Sequence, residues 1–291
     1  MTMLNLHTPI KQFLKPVPSQ RFCRAEDRVR QLAGKVYSSH QLMLVGTEQS
    51  CQGVVSGDWI WYKSRKKPET KAKNCLIKPP HLLPSDPTLR ALELMRQQKW
   101  YELVVFELPK SWSVAGLIDL FDITHWLMTD KEMVDLMAGY LTIDPPLTID
   151  EDQSINQAYK LMRQHHFARL LLTNKQGKLS GIVTRSDMQF YLSLPVDKQR
   201  FYKAESGESK LNFEQDELKL GQQPVKRIAR NFVFSTRANS SPVEIFRQLA
   251  DSEYTSLVLV SDDYRPQGII AWHSILEVIY QMIQDSQKLL S

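Results

Sequence analysis

Three side chains at the end of one short stretch carry the most chemistry in this sequence. In Gly181-Ile182-Val183-Thr184-Arg185-Ser186-Asp187, a hydroxyl, a cation and a carboxylate follow an apolar run and precede a helix-like one. A carboxylate can accept both hydroxyls of a ribose, and a hydroxyl, a cation and a helix N-terminus all suit a phosphate. The plain alternative is that Thr184 and Asp187 only cap the helix. Seven residues alone favour capping. Recurrence of the pattern shifts the balance.

The elements that must position these groups are readable around them. The run Leu170-Leu171-Leu172-Thr173 turns at residues 174–177 and returns through Ile182 and Val183, a β-hairpin. The same hairpin-then-glycine pattern occurs three more times. Gln41-Leu42-Met43-Leu44-Val45 leads to Gly53, Ser56 and Asp58. Glu102-Leu103-Val104-Val105-Phe106 leads to Gly116, Asp119 and Asp122, and Ser256-Leu257-Val258-Leu259-Val260 leads to Gly268, Ala271 and Ser274. These glycines lie roughly 60 to 90 residues apart, a domain-sized period longer than that of a solenoid.

An amphipathic helix precedes each hairpin. Ser154 and Gln157 form a capping box ahead of Ile155, Ala158, Leu161 and Met162. Ser241 caps the fourth helix, with Pro242 at its first position and Glu244 completing the box. The second helix starts after Asp86-Pro87-Thr88, and the first after Asp27. A helical tail follows each glycine motif, clear at residues 188–192 and 274–279 and weak after Asp58. Each unit therefore reads strand, helix, strand, strand, helix. A small sheet with helices on one face leaves apolar surface uncovered, so such units should pair.

Composition sets the outer bounds. The 291 residues are 42% hydrophobic and 24% charged, as in an ordinary globular protein, with room for two domains. A net charge of +5 favours an anionic ligand but is too diffuse to argue for nucleic acid. Cys23, Cys51 and Cys75 stand alone, without metal-ligand spacing, and fit small buried residues in a reducing compartment. No apolar run approaches the roughly 18 residues of a membrane helix, and no secretory signal is evident, so a cytoplasmic location is expected.

Three connectors interrupt the units. Residues 63–74 are polar and basic and read as a solvated linker, since no aromatics interleave with their charges. Residues 129–141 read as a helix joining the two halves. Residues 195–223 form a long charged insertion, either an excursion or a docking element. The adjacent His165 and His166 do not face one another on a helix and have no third ligand at metal spacing. Trp100, Trp112, Trp126 and Trp272 are expected to fill interfaces between units. Walker, dinucleotide and nucleophile-elbow motifs are absent, so the chain is not read as an enzyme.

With these residues in place, the chain resembles the cystathionine-β-synthase (CBS) domain family. The third unit carries the resemblance from Pro146-Leu147-Thr148-Ile149, through Asp152-Gln153-Ser154-Ile155 and Phe167-Ala168-Arg169-Leu170, to the stretch ending at Asp187. The second unit is similar from Pro80 to Asp122, and the first and fourth in periodicity and glycine position only. The resemblance implies an α+β fold of four β-α-β-β-α units paired into two pseudo-twofold Bateman modules. The first module would span residues 1–130 (units 8–63 and 74–130), the second 131–291 (units 138–194 and 224–285, with the insertion).

The resemblance further implies a sensor. Such modules bind adenosine-containing ligands between motifs and regulate a partner protein or an attached domain. The implied ligand is AMP, ADP or ATP, with S-adenosylmethionine as another option and Mg accompanying ATP. Asp187 would hold the ribose hydroxyls, Thr184 would lie near ribose and phosphate, and Arg169 would face phosphate. Leu147, Thr148 and Ile149 would line the adenine cleft, and Arg185 either assists or points to solvent. In the second unit Asp122 keeps the ribose carboxylate, but Asp119 replaces the expected hydroxyl, and a carboxylate beside a phosphate is repulsive. In the first, Trp59 stands at the carboxylate position; in the fourth, Ala271 and Ser274 replace both polar groups. A homodimer is allowed for; a nucleic-acid or membrane partner is not expected. The competing reading is an assembly scaffold whose pockets have decayed.

Overall fold

In the computed structural model the described residues are 6–38, 40–165, 167, 169–188, 221–252, 254 and 256–289. The four hairpins stand where the glycine pattern places them. Unit one comprises β1 (Phe22–Cys23), α1 (Val29–Ala33), β2 (Leu42–Gly46), β3 (Cys51–Ser56) and α2 (Gly57–Lys66). Unit two follows with α3 (Thr88–Gln98), β4 (Glu102–Phe106), β5 (Val114–Asp119) and α4 (Leu120–Met128), and α5 (Lys131–Ala138) leads to the second half. Unit three holds β6 (Thr148–Asp150), α6 (Ile155–His165), β7 (Arg169–Thr173) and β8 (Leu179–Thr184). Unit four holds β9 (Ser235–Arg237), α7 (Pro242–Ala250), β10 (Ser256–Val260), β11 (Pro266–Ala271) and α8 (Trp272–Leu289). Past residue 188, the tail expected at 188–192 lies outside the described residues, as do residues 195–220 of the insertion.

Each hairpin pairs antiparallel, and β1, β6 and β9 add parallel to β2, β7 and β10. All four hairpins shift register near the far end of the first strand, between Val45 and Gly46, Val105 and Phe106, Leu172 and Thr173, and Leu259 and Val260. This recurrent bulge adds twist at one place in each unit.

The units pair through their sheets. Leu42, Leu44 and Val54 of unit one bury against Val104, Phe106 and Leu117 of unit two, with Trp112 packed on the edge. Leu171, Leu179 and Ile182 of unit three bury against Val258, Val260 and Ile269 of unit four. The resulting modules then join within the one chain through helices. Leu92 and Met95 of α3, Ile123 and Leu127 of α4 and Met133 of α5 share a core with Phe246 and Leu249 of α7 and Ile275 and Ile279 of α8. Trp272 meets Phe121 edge-on at 5.1 Å across this seam.

Each unit also lends its leading segment to the sheet of its partner. Lys15 exchanges two 2.9 Å backbone hydrogen bonds with Leu117 of β5, and Ile77 pairs likewise with Val54 of β3. Arg230 pairs with Ile182 of β8, and the Ile269 amide of β11 donates to the Asp144 carbonyl at 3.3 Å. These exchanges explain the repeat glycines. A Cβ on Gly116 would lie 2.5 Å from the Lys15 carbonyl oxygen, and one on Gly181 3.1 Å from that of Arg230. The glycine admits the neighbour's backbone.

The connectors correct one expectation. Residues 63–74 are no solvated linker: residues 63–66 extend α2, and the rest is bound to unit one, with Val29 N–H donating to Thr70 and Ala72 N–H to Asp27. Three of its charges are matched, Lys71 and Lys73 to Glu26, and Glu69 to Arg28 and Arg30. Of the insertion, Gly221 and Gln223 accept from Asn156 and Ile155 at the start of α6, so its end is docked. The three cysteines are free and buried, and burial pushes the Cys23 thiol up to about 12.

Candidate functional site

At the strand-to-helix junctions of units one to three the polar residue after the glycine meets the helix that follows. Ser56 accepts from the Trp59 amide, Asp119 from the Asp122 amide at 2.9 Å, and Thr184 from the Asp187 amide at 3.1 Å. Asp119 is thus an N-cap, a role for which aspartate is as apt as serine. That accounts for the carboxylate which, as a phosphate neighbour, is out of place.

In unit three Asp187 Oδ2 accepts from both the amide and the hydroxyl of Thr184, at 2.9 and 2.6 Å. Its other oxygen accepts from Arg230 Nη2 at 3.0 Å. Unit two repeats the arrangement, with Lys15 Nζ bridging Asp122 and Asp119. Burial works against the Lys15 charge, yet the two carboxylates outweigh it and hold its pKa above the ordinary value. Burial likewise raises Asp122, Lys15 pulls it down and Asp119 pushes it up, for a net rise. In both units the residue that closes the carboxylate is the one whose backbone has crossed from the partner.

Unit four differs. The cap positions are Ala271 and Ser274, and the crossing residue is an acid: Ser274 Oγ donates to Asp144 Oδ2 at 3.4 Å. Here a cavity of about 330 Å³ opens between units three and four. Leu147, Leu171, Ile269 and Ala271 form apolar walls, and Arg169, His273, Asp144 and Tyr101 supply polar groups. Tyr101 reaches in from unit two and packs at a tilt of 32° on His40 of unit one, ring centroids 4.2 Å apart, so the cavity is lined by unit two as well as by units three and four. Its surroundings are cationic. Burial, then Arg169, Arg185 and His273, lower the His40 pKa to about 4. Burial, then Arg169, lower that of His273. Burial also lowers Arg169, which stays a guanidinium cation.

Of the residues singled out in the sequence, Leu147 and Arg169 line this cavity. Ile149 packs into the unit-three core, and Thr148 is exposed on the same strand. Thr184 and Asp187 form the cap latched by Arg230, and Asp122 lies against Lys15. Arg185 donates to the Phe167 carbonyl at 3.2 Å and approaches Asp58 of unit one at 3.8 Å. Sequence reading missed Asp144, Tyr101 and His273, of which His273 alone carries a signal, its place in the fourth glycine motif. His165 lines the cavity; His166 lies outside the described residues. Among the described residues no group of three or more potential ligands stands ready for a metal ion, and no helix is long and apolar enough to cross a membrane.

Comparison with known proteins agrees with this architecture. Residues 138–194 match the CBS domain family. Protein MJ1225 from Methanocaldococcus jannaschii has a similar structure, with a TM-score of 0.67 at 13% identity over 94% of this chain and 100% of that one. A conserved protein from Pyrococcus horikoshii gives 0.58 at 16% identity, with the same coverage. Arabinose 5-phosphate isomerase KpsF from Escherichia coli is 31% identical over 70 residues, which are 24% of this chain but only 21% of that enzyme. The likeness covers a fifth of the isomerase. Residues 138–194 thus form a CBS domain, and the chain as a whole has four units of one shape paired into two modules, the fold of these two structures.

Proposed function

We propose that the chain is a regulatory sensor that binds an adenine nucleotide in the cleft between units three and four. The supporting observation is the cavity of about 330 Å³, apolar at Leu147, Leu171, Ile269 and Ala271 and cationic at Arg169, with the His273 imidazole also in its lining. Apolar walls suit a base, and a guanidinium suits a phosphate. AMP, ADP and ATP are the primary candidates, with Mg accompanying ATP, and S-adenosylmethionine is the alternative. Thr184 and Asp187, with Arg185 beside them, make a second position that opens only when Arg230 leaves. We take the modules to divide near residue 130. The ligand acts by favouring one arrangement of the four units over another, since a ligand shifts an equilibrium only through differential affinity. The regulated partner is a separate protein, an attached domain or a second copy of this chain.

A scaffold with closed pockets is the second reading, favoured by the cations seated on Asp122 and Asp187. Thermal unfolding against AMP, ADP, ATP, S-adenosylmethionine and NAD separates the two, because a ligand of the folded state must raise the midpoint. A rise with one ligand, lost in Arg169→Gln, supports the sensor. A cooperative transition that no ligand moves supports the scaffold.

A further inference from the structure

Four leading segments cross to equivalent points of their partners' sheets, and there they carry Lys15, Ile77, Asp144 and Arg230. Lys15 and Arg230 neutralise carboxylates of the motif they reach. Asp144 reverses that polarity. The acid sits on the crossing segment, the motif offers the Ser274 hydroxyl, and among the described residues no cation pairs with Asp144. This is also the junction at which the cavity opens, with Asp144 in its wall.

From this reversal we infer that the cavity is built for a phosphorylated pentose, with Asp144 accepting the sugar hydroxyls and Arg169 and His273 meeting the phosphate. The inference rests on the sensor reading and names its polar contacts. A carboxylate has acceptor sites for two vicinal hydroxyls at once. It replaces, from the neighbouring unit, the acid that position 274 lacks. Asp187 is already committed, with Arg230 on one oxygen and Thr184 on the other. The apolar walls remain for a base, so a nucleotide and a free pentose phosphate share this chemistry and differ only in whether those walls are filled.

The test is calorimetric titration of the full chain with AMP, 2′,3′-dideoxy-AMP and ribose 5-phosphate, repeated on Asp144→Asn and Asp187→Asn. Hydroxyls bonded to a carboxylate are worth about tenfold to a hundredfold in affinity. The wild type should prefer AMP over its dideoxy analogue by that factor, Asp144→Asn should erase the preference, and Asp187→Asn should keep it. Ribose 5-phosphate binding as tightly as AMP would support the inference and identify a sugar phosphate as the natural source. A wild type that binds AMP and dideoxy-AMP equally, or a preference surviving in Asp144→Asn, overturns the role of Asp144 and leaves the sensor reading standing. A wild type that binds neither AMP nor ribose 5-phosphate overturns the inference, and only a chain that no ligand of the unfolding series moves overturns the sensor reading as well. The analogue comparison on unmodified protein decides the matter even where a variant folds poorly.

Discussion

Arg230 reaches from the leading segment of unit four to Asp187 of unit three, Nη2 to Oδ1 at 3.0 Å, and its own backbone N–H and C=O bond Ile182, five residues before Asp187. The ion pair therefore fastens a backbone exchange. Arg230 is 69% exposed while Asp187 is 18% exposed, so solvent screens the pair. A double-mutant cycle of Arg230→Ala and Asp187→Ala should give a coupling of about 1 kcal/mol or less, shrinking at high salt. Coupling of zero at low salt would show that the pair fastens nothing.

Gly116 and Gly34 make a matched comparison. A methyl group on Gly116 meets the Lys15 carbonyl and Leu14, whereas one on Gly34 meets nothing within 4 Å. Gly34 ends α1 at φ −77°, open to any residue. Gly116→Ala should cost about 1–3 kcal/mol through overpacking, and Gly34→Ala should be stabilising by about 0.4–1 kcal/mol. Denaturant midpoints read both. Equal effects would remove the explanation given for the repeat glycines.

His40 sets an acid limit. Its pKa falls from 6.5 to about 4, first through burial and then through Arg169, Arg185 and His273. Above pH 6.5 the folded and unfolded chains are both neutral here, and the full stability is present. Between pH 6.5 and about 4 the unfolded chain takes a proton that the folded one refuses, so stability falls as the pH falls. By about pH 4 the loss reaches about 3 kcal/mol. His40→Gln should flatten the midpoint-against-pH curve across that window. An unchanged slope would place the proton elsewhere.

Phe246 is fully buried in the core that joins the modules, while Leu108 is 63% exposed. Phe246→Ala should cost about 3–5 kcal/mol. Leu108→Ala should stay within about 0.5 kcal/mol. Urea unfolding measures both. A mild Phe246→Ala would mean that the modules depend little on this seam.

What the sequence revealed was local. The Ser241 cap with Pro242 behind it, the Ser154–Gln157 capping box and the four hairpins each depend on residues a few positions apart. Helix α2 was harder to see, because its Trp59-Ile60-Trp61-Tyr62 core has modest helix propensity and is held by packing of Ile60 and Trp61. The crossing of the leading segments left no local trace. Backbone groups make those bonds, and the four residues that carry them are two cations, Lys15 and Arg230, one apolar residue, Ile77, and one acid, Asp144. Asp187 was legible as a polar group at a junction, but its occupant, Arg230, lies 43 residues away. Asp144, in the wall of the open cavity, is separated from Ser274 by 130 residues.

The exchanged segments also set an order of assembly on the ribosome. Unit two receives residues 8–15, which are already made when its hairpin emerges, so the first module can close as soon as residues near 128 are free. Units one and three both receive theirs from chain made after their own hairpins, but Ile77 follows Val54 by 23 residues whereas Arg230 follows Ile182 by 48. In unit three β8 must wait with an unpaired margin until unit four begins to appear. The second half of the chain is therefore exposed to wrong pairing during synthesis for longer than the first.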